Sequence, residues 1–314
     1  MSAPRIAIFG PDPLLSVTIE TRSSGEELHL HPAGQGVWVA RMARELGASP
    51  ILCSFLGGET GALLEPLLTA NFEVRVARTS GVSGSYVVDR RGDERNVLAS
   101  ALRPAPQRHE VDDLLSSTVA AALGSEVLVI CNPYPADGIP NEVYETLVAD
   151  VRAAGVPVLV DLSSPRLDHA LRHQPDLVKL NDWELAEFVR GPVDGRRMLA
   201  GAQALIDAGA GAVVVTQAEG PVLVLSHHAD PFEVVPPVFP VGHREGCGDT
   251  MMGAIAAGWA RGLPLRDLTS LGVAAGSINF LRRGLGTGSR SAVEELARTI
   301  VVRPLLEAAS KTAV

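Results

Sequence analysis

The chain has 314 residues, of which 46% are hydrophobic and 20% charged, a composition that can bury one sizeable core. Its formal net charge is −9, which argues against a general binder of nucleic acid or membrane surfaces, because phosphates attract lysine and arginine. No apolar run approaches the roughly 20 residues that span a bilayer, and the N-terminal segment lacks the basic and apolar regions of a signal peptide.

Short apolar runs alternate with helix-patterned segments along most of the chain. The strand-like runs are Ile6–Phe9, Ile51–Phe55, Val127–Cys131, Val156–Asp161, Leu177–Leu180 and Val213–Thr216. Helical spacing marks residues 37–46, 61–70, 141–154, 197–208, 250–261, 265–281 and 289–302. This alternation indicates an α/β fold in which a mostly parallel sheet is layered with helices. We therefore predict a single domain over residues 1–314, with a tail at 308–314 that frays.

Two segments break this alternation. Residues 15–31 and 84–100 each contain two strand-like runs around a polar turn, the pattern of a β-hairpin. The two hairpins could form a small separate sheet that closes over a site and excludes water from it. The alternative is a pair of surface hairpins without a gating role.

Two runs place glycines or polar residues where a helix begins. The first contains Gly34 and Gly36, and such glycines either allow a ligand to approach the backbone closely or form a plain loop. In the second, Lys179–Leu185, one helical face presents Asn181 and Glu184. This pair can hold water around Mg²⁺, or form a capping box at the helix N-terminus, and both interpretations can hold together.

The richest run is Gly246-Cys247-Gly248-Asp249, which precedes small and apolar residues at helical spacing. Backbone N–H groups and the helix dipole at such an N-terminus attract phosphate oxygens. A carboxylate in the first turn can accept the proton of an attacking hydroxyl while the amides stabilise the transferred group. Asp249 is thus a candidate general base beside a candidate anion hole. Taken alone, the motif is explained better by an Asp that only caps a buried helix.

Other motifs are absent from the sequence or carry little weight. There is no Gly-x-x-x-x-Gly-Lys-Ser/Thr loop and no Gly-x-Gly-x-x-Gly after a strand, so P-loop and dinucleotide-binding folds lose their main support. The three cysteines, Cys53, Cys131 and Cys247, have neither disulfide nor zinc-ligand spacing, which favours a reducing, cytoplasmic environment. Cys247 is either a small alanine-like residue or a thiol whose pKa the helix N-terminus lowers.

Taken in order, these runs resemble the ribokinase-like pfkB sugar kinases, and most closely the branch with 1-phosphofructokinase, tagatose-6-phosphate kinase and the minor 6-phosphofructokinase. Residues 33–40 match the family's Gly-Gly-Lys-Gly-x-Asn-Val-Ala, residues 179–184 its Lys-Pro-Asn-x-x-Glu, and residues 246–249 its Gly-Ala-Gly-Asp. The resemblance implies a three-layer ribokinase-like fold with a mostly parallel central sheet and a small β-sheet lid. It also implies ATP and Mg²⁺, allows a monovalent cation, and suggests a homodimer built through the lid.

The resemblance assigns roles to individual residues. Asp249 carries over as general base and Gly246, Cys247 and Gly248 as the anion hole. Glu184 reaches Mg²⁺ through water. The residues implied to bind the nucleotide cofactor are Asn181, Glu184, Thr216, Gly220, Gly276 and Asn279.

The acceptor half departs from the family pattern. The family's lysine is replaced by Gln35, its asparagine by Trp38, and its sugar-gripping aspartate by Leu14. Asp12 could take over the role of that aspartate only if the loop is reshaped, and Arg95 remains for an anionic acceptor. The predicted substrate-binding residues are Asp12, Gly34, Gln35, Gly36, Trp38 and Arg95.

We therefore predict an ATP-dependent kinase that transfers the γ-phosphoryl group to a hydroxyl of a sugar or sugar phosphate, other than fructose 1-phosphate and tagatose 6-phosphate. We expect it to bind a small-molecule substrate, and to bind neither nucleic acid nor a membrane. One alternative is a nucleoside or vitamin-precursor kinase of the same fold, in which Trp38 stacks on a flat ring. Another is a catalytically silent nucleotide-binding regulator, although the intact run at 246–249 argues against it.

Overall fold

The computed structural model describes residues 3–92, 95–133, 138–218, 220–282 and 286–305. Its strands are β1 (Arg5–Phe9), β2 (Leu14–Arg22), β3 (Gly25–Ala33), β4 (Ser49–Leu56), β5 (Glu73–Arg78), β6 (Ser85–Asp89), β7 (Asn96–Ala101), β8 (Val127–Cys131), β9 (Val158–Asp161), β10 (Leu177–Asn181), β11 (Ala212–Thr216), β12 (Val222–Ser226), β13 (Ala229–Val235) and β14 (Val301–Pro304). Its helices are α1 (Gln35–Glu45), α2 (Gly58–Thr69), α3 (Arg108–Ala122), α4 (Asn141–Ala153), α5 (Arg166–Leu171), α6 (Asp182–Phe188), α7 (Gly195–Asp207), α8 (Cys247–Ala260), α9 (Leu265–Phe280) and α10 (Arg290–Thr299).

The main sheet has ten strands in the order β14-β13-β12-β11-β10-β9-β8-β1-β4-β5. All pairings from β11 to β5 are parallel, and the three pairings from β11 to β14 are antiparallel. Every residue of β8 is buried, as expected for a parallel strand covered by helices on both faces. The predicted α/β class with a mostly parallel central sheet is confirmed.

Two hydrophobic cores cover the two faces of this sheet. Successive side chains of a strand point to opposite faces, and in β1 Ile6 and Ile8 join one core while Ala7 and Phe9 join the other. The first core draws on α1, α2, α8, α9 and α10, and the second on α3 to α7. Helix, sheet and helix therefore form three layers. Within the described ranges, none of the helices combines the length and apolarity that crossing a bilayer requires.

A second sheet, in the order β3-β2-β6-β7, stands apart from the main sheet. The hairpins β2–β3 and β6–β7 are antiparallel, and they join through a parallel pairing of β2 with β6. This is the small sheet that the sequence predicts as a lid. The turn predicted between β6 and β7 includes residues 93 and 94, which lie outside the described residues.

The C-terminal region differs from the sequence prediction in one respect. The helix expected over 289–302 ends at Thr299, and Val301 and Val302 instead pair with β13 as the edge strand β14. The β-branched run Ile300-Val301-Val302 favours an extended conformation, and the unpaired edge of β13 supplies its hydrogen bonds. The tail at 308–314 lies outside the described residues.

Helices α1 and α8 pack with their backbones close together. A Cβ atom added at Gly253 of α8 would lie 2.4 Å from the carbonyl oxygen of Val39 in α1. Since real side chains do not tolerate that distance, a glycine is required at this crossing. The close approach brings the first turn of α8, with Asp249, next to the first turn of α1, with Gln35.

We expect Gly253→Ala to lower the free energy of unfolding by about 1–3 kcal/mol, because the new methyl group must push two helix backbones apart. Urea denaturation followed by circular dichroism measures the change. Gly191→Ala is a matched control, since its Cβ would meet no atom closer than 3.9 Å, and it should leave stability unchanged or slightly raised. Equal stability of the two variants would contradict the prediction.

Candidate active site

Polar residues collect where the parallel strands of the main sheet end. Asn132 follows β8 directly, and Asp161, Asn181 and Thr216 are the last residues of β9, β10 and β11. Ligands of open α/β sheets bind at the carboxyl ends of the strands. The sheet thus defines a candidate site along this edge.

The N-terminus of α8 lies at this edge and forms the candidate anion hole. Gly246 caps the helix with φ at 68°, a left-handed conformation that glycine adopts without strain. The amine of Lys179 lies against the same turn, because a Cβ atom at Gly248 would be 3.1 Å from its Nζ. First-turn N–H groups, the helix dipole and an ammonium group therefore favour an anion at one place.

Lys179 and Asp161 form a buried ion pair at 2.6 Å, with exposed side-chain fractions of 6% and 4%. Burial alone would lower the pKa of Lys179, but the negative charges of Asp161, Asp249 and Glu184 outweigh it, so the pKa is raised. The lysine stays protonated, and its charge is available to the anion hole.

Asp249 lies in the first turn of α8. Burial raises the pKa of its carboxyl group to about 7, and the negative charge of Asp161 adds to this effect. The charge of Lys179 and a hydrogen bond from the Gln35 side chain act in the opposite direction. A carboxyl group with a pKa near neutrality is suited to accept a proton from a hydroxyl.

Gln35 joins two parts of the site. Its Oε1 atom accepts a hydrogen bond of 2.6 Å from the backbone N–H of Asn132, so the side-chain oxygen is occupied. The hydrogen bond to Asp249 must therefore be donated by the amide nitrogen of Gln35. Gln35, predicted as a substrate-binding residue, thus orients the Asp249 carboxylate.

Asn181 and Glu184 form the capping box of α6. The Asn181 side chain accepts from the backbone N–H of Glu184 at 2.9 Å, and the Glu184 side chain accepts from that of Asn181 at 2.8 Å. Burial raises the pKa of Glu184, and the negative charge of Asp161 raises it further. The repulsion between these two carboxylates favours a nearby cation, and carboxylate oxygens suit Mg²⁺. The donor set fits the metal that the sequence implies.

A cleft of about 790 Å³ opens beside the anion hole, within the usual range for small-molecule sites. Four of the six predicted nucleotide residues line it, namely Asn181, Thr216, Gly220 and Gly276, together with Cys247 and Gly248 of the candidate anion hole. Its apolar wall includes Val222, Val273 and Phe280, which could cover the faces of a purine ring.

Asn279, predicted on the nucleotide side, occupies a different place. Its side chain is fully buried and braces the anion-hole loop, because it donates to the carbonyl of Glu245 at 3.0 Å and accepts from the N–H of Gly286 at 2.9 Å. It also contacts the sulfur of Cys247 at 3.5 Å. Burial raises the pKa of Cys247, so the environment does not support the alternative of an activated thiolate.

The predicted acceptor residues fall into two groups. Asp12 and the glycine loop lie together, since a Cβ atom at Gly34 would be 2.8 Å from the carbonyl oxygen of Asp12, and one at Gly36 would be 2.7 Å from Cα of Gly10. Asp12 is buried against Arg103, which donates to it at 2.6 Å. The loop that holds Asp12 is thus packed closely on the start of α1.

The other predicted acceptor residues, Arg95 and Trp38, contact other parts of the chain. Arg95 donates to Glu245, just before the anion hole, at 2.8 Å. The Trp38 backbone lies against Gly286, and its indole N–H is buried without a hydrogen-bond partner. The lid arginine is therefore held at the loop that precedes α8.

The chain is similar in sequence to known carbohydrate kinases. The model of the pfkB family carbohydrate kinase matches residues 13–292. The chain is 30% identical to a 1-phosphofructokinase of Rhodobacter capsulatus over 87% of each chain. It is 28% identical to an ATP-dependent 6-phosphofructokinase isozyme 2 of Mycobacterium tuberculosis, over 93% of this chain and 88% of the relative.

Solved structures are similar over nearly the whole chain. Phosphofructokinase-2 of Escherichia coli, in complex with potassium, superposes with a TM-score of 0.83 at 25% identity. The superposition covers 94% of this chain and 99% of the Escherichia coli chain. The same protein has also been solved in a tetrameric inhibited form, with a TM-score of 0.82 and 25% identity over the same shares of both chains.

The fold and the site define a ribokinase-like kinase. The chain belongs to the pfkB family of carbohydrate kinases, which confirms the predicted family and the predicted class of enzyme, an ATP-dependent carbohydrate kinase.

Several site residues were missed by sequence reasoning. From the sequence, Asp161 is only the last residue of a predicted strand, and Lys179 is only a neighbour of Asn181. Asn132 is not singled out at all. A polar residue at the carboxyl end of an apolar run, as in Val158-Leu-Val-Asp161, is a pattern that could have identified them. Arg103 carries no comparable pattern, because it lies in a loop after β7.

We expect the Asp249 carboxyl group to titrate near pH 7, about 3 units above an ordinary aspartate. Gln35→Leu should raise this pKa further, because the ionised form loses a hydrogen bond. Carbon-13 NMR of the side-chain carboxyl groups measures both values, with Asp249→Asn assigning the signal. Gln203→Leu, on the exposed face of α7, serves as the control and should leave it unchanged. An ordinary aspartate pKa would contradict the prediction.

Proposed function

We propose that this kinase transfers the γ-phosphoryl group of ATP to a hydroxyl of a sugar or sugar phosphate, with Asp249 as general base and the amides of residues 246–248 as anion hole. The observation that carries the proposal is the position of Asp249: its pKa is raised to about 7 and it lies in the first turn of the helix whose N-terminus favours an anion.

In this mechanism the nucleotide lies in the cleft beside α8, and the acceptor lies between Asp249 and the Gly34–Gly36 loop. Asp249 accepts the proton of the attacking hydroxyl. The N–H groups at the start of α8 and the ammonium group of Lys179 hydrogen-bond to the phosphoryl oxygens as their charge shifts. Gln35 keeps the Asp249 carboxylate in place through its second bond to Asn132.

Glu184 and Asn181 would hold Mg²⁺ through water at the end of β10. When bound, the ion supplies positive charge to the phosphates. Their capping box fixes both side chains in position before any ligand arrives, which reduces the entropy lost on binding. Thr216, Gly220 and Gly276 contact the nucleotide, and Asn279 acts through the loop it braces.

For the acceptor, we keep the hypothesis that neither fructose 1-phosphate nor tagatose 6-phosphate is the substrate. Leu14 and Gln35 replace two polar residues of the family pattern. Asp12 supplies a carboxylate beside the glycine loop but is oriented by Arg103. Efficient turnover of either sugar phosphate by the purified enzyme would refute this hypothesis.

We expect Asp249→Asn to lower kcat by at least about 100-fold, because the variant cannot accept the proton. Its affinity for ATP should stay within about twofold, since the anion hole is made of backbone groups. ADP release measures the first quantity and calorimetry the second.

The pH dependence tests the same assignment. The base must be deprotonated, so kcat/KM of the wild type should fall about tenfold per pH unit below the Asp249 pKa of about 7. Wild-type turnover by Asp249→Asn would exclude Asp249 as the base, and a fall that begins only near pH 4 would contradict its raised pKa.

We further propose that two copies pair through the outer face of the lid sheet. Directly paired residues share a face of a sheet, so Val17 lies beside Leu30 and Val87, and Ile19 lies beside Leu28. Leu28 and Leu30 are 64% and 52% exposed, so an apolar surface crosses three strands. The opposite face contains the buried Ser16 and Thr18.

A second copy is the occupant that the lid surface favours, because related apolar sheet faces of two identical chains can bury each other about a twofold axis. The solved tetrameric form of the Escherichia coli relative is consistent with self-association in this family. Arg90 and Arg95 tie the inner side of the same sheet to Glu245, so pairing of lids could influence the site.

We expect the double variant Leu28→Lys/Leu30→Lys to shift the protein from dimer to monomer, because two buried charges would be introduced per copy. Sedimentation velocity over a range of concentrations measures the shift. The matched control is Leu63→Lys/Leu123→Lys, at positions 53% and 58% exposed outside the lid, which should leave the dimer intact. A monomeric wild type, or an unchanged double variant, would contradict the lid dimer.

A further inference from the structure

Trp183 is an exposed tryptophan at the cleft beside the anion hole. It is 82% exposed and lines the cleft, whereas the other two tryptophans, Trp38 and Trp259, are half-buried. The fold does not need its indole ring, because α6 is anchored in the core by Leu185. A single exposed apolar side chain is common in proteins, so the surroundings of Trp183 decide whether it has a role.

The surroundings form an apolar patch at the same edge of the main sheet. Val238, which is 92% exposed, and Phe239 follow β13 and line the cleft together with Trp183. The ring of Phe239 stacks on that of Phe280, with the ring centres 6.5 Å apart. Exposed apolar side chains that collect around a cleft indicate a binding site.

The sheet places this patch and Trp183 on two sides of the cleft. Two successive antiparallel pairings make β13 run parallel to β10, the strand that leads into α6. Both strands therefore end at the same edge. In the sheet order, β11 and β12 separate them, a distance of about 14 Å between β10 and β13. A ligand that enters the cleft passes between the two sides.

The anion hole determines which part of a nucleotide suits Trp183. Gly248 lines the cleft and Lys179 lies against the same turn of α8, so the phosphates bind there. The rest of the donor extends over the apolar wall that includes Val222 and Val273. The face of an indole ring is electron-rich, which disfavours an anion and favours a flat ring stacked on it with an offset. Trp183 therefore suits the base of the donor better than its phosphates.

The indole ring is available for such a contact. In the parts of the chain that the structure describes, it stacks on no other ring. The apolar wall of the cleft can cover one face of a base, and the second face stays in water unless another ring covers it. Covering that face removes apolar area of both rings from water, which stabilises the complex.

We propose that Trp183 is a specificity-determining residue for the phosphoryl donor and stacks on its nucleobase. The base is then held between the indole ring and the apolar wall of the cleft. The inference rests on the proposed function, in which the nucleotide lies in this cleft. It adds that the donor carries a flat heteroaromatic base beside its triphosphate. Inorganic tripolyphosphate, which has the same phosphates without a base, gains nothing from Trp183.

Calorimetry with two probes tests the stacking. The probes are a non-hydrolysable ATP analogue and inorganic tripolyphosphate, each with Mg²⁺. We expect Trp183→Ala to weaken binding of the ATP analogue about tenfold, as loss of one stacked base does, and to leave the affinity for tripolyphosphate within about twofold. Trp183→Phe should recover most of the loss, because a smaller ring still stacks. Leu123→Ala, at an exposed position at the end of α3, is the control and should bind both probes like the wild type.

Turnover and fluorescence give two further measurements. In Trp183→Ala the KM for ATP should rise about tenfold with kcat unchanged, because stacking stabilises the ground state and the transition state equally. Binding of the ATP analogue should shift the tryptophan emission of the wild type to shorter wavelength, since an exposed indole becomes shielded. The shift should disappear in Trp183→Phe and persist in Trp259→Phe, where the half-buried tryptophan of α8 is replaced.

Three outcomes would overturn the inference. They are unchanged affinity of Trp183→Ala for the ATP analogue, an equal loss of affinity for tripolyphosphate, and an emission spectrum that the ATP analogue does not shift. An equal loss would assign the indole N–H group to the phosphates instead of the ring to the base. If tripolyphosphate does not bind the wild type measurably, the base supplies the affinity, and a loss in Trp183→Ala then supports the stacking.

Failure of the proposed function gives a different result. ADP release with sugar and sugar-phosphate acceptors is measured in the wild type and in Trp183→Ala. Loss of ATP-analogue binding in Trp183→Ala, without ADP release by the wild type from any acceptor, would count against the kinase mechanism and leave the stacking standing. ADP release with the same KM for ATP in both proteins would count against the stacking alone.

Discussion

The buried ammonium group of Lys179 stands among three carboxylates at the carboxyl edge of the main sheet. It pairs with Asp161 at 2.6 Å, and the charges of Asp249 and Glu184 help to raise its pKa. Three carboxylates could not all remain ionised there without a cation, because like charges at short range raise one another's pKa. Burial is the main reason that the pKa of Asp249 rises to about 7, and the charge of Asp161 adds to it. One lysine cannot balance all three carboxylates, which favours a metal ion beside Glu184.

The helix termini fix the positions of these charged groups. Gly246 lets α8 begin next to Lys179, and the capping box of α6 fixes Asn181 and Glu184. Because Gly253 has no side chain, α8 can pack close to α1, and Gln35 reaches Asp249. The donor half of the site is therefore built almost entirely from helix N-termini, whose free N–H groups suit phosphate.

Gln35 marks the boundary between the donor half and the acceptor half. On one side it bonds to the proposed base, and on the other to the backbone of Asn132. A lysine at this position would add a charge next to Asp249 and lower its pKa. The change from the family's lysine to glutamine thus affects the base as well as the acceptor.

The sequence by itself determined the fold class, the strand and helix alternation, the lid hairpins and the three motifs of the donor half. These features are local: an apolar run, a turn or a glycine before a helix has the same physical consequence wherever it occurs. The edge strand β14 escaped prediction because its conformation depends on β13, which is distant in the chain.

Only the tertiary structure decided which charges meet. Asp12 and Arg103 come from separate segments, and no spacing in the sequence relates them. The pKa of Asp249 likewise depends on Asp161, Lys179 and Gln35, which reach it from other elements. Electrostatic interactions depend on distance and burial, and neither quantity can be read from a linear sequence.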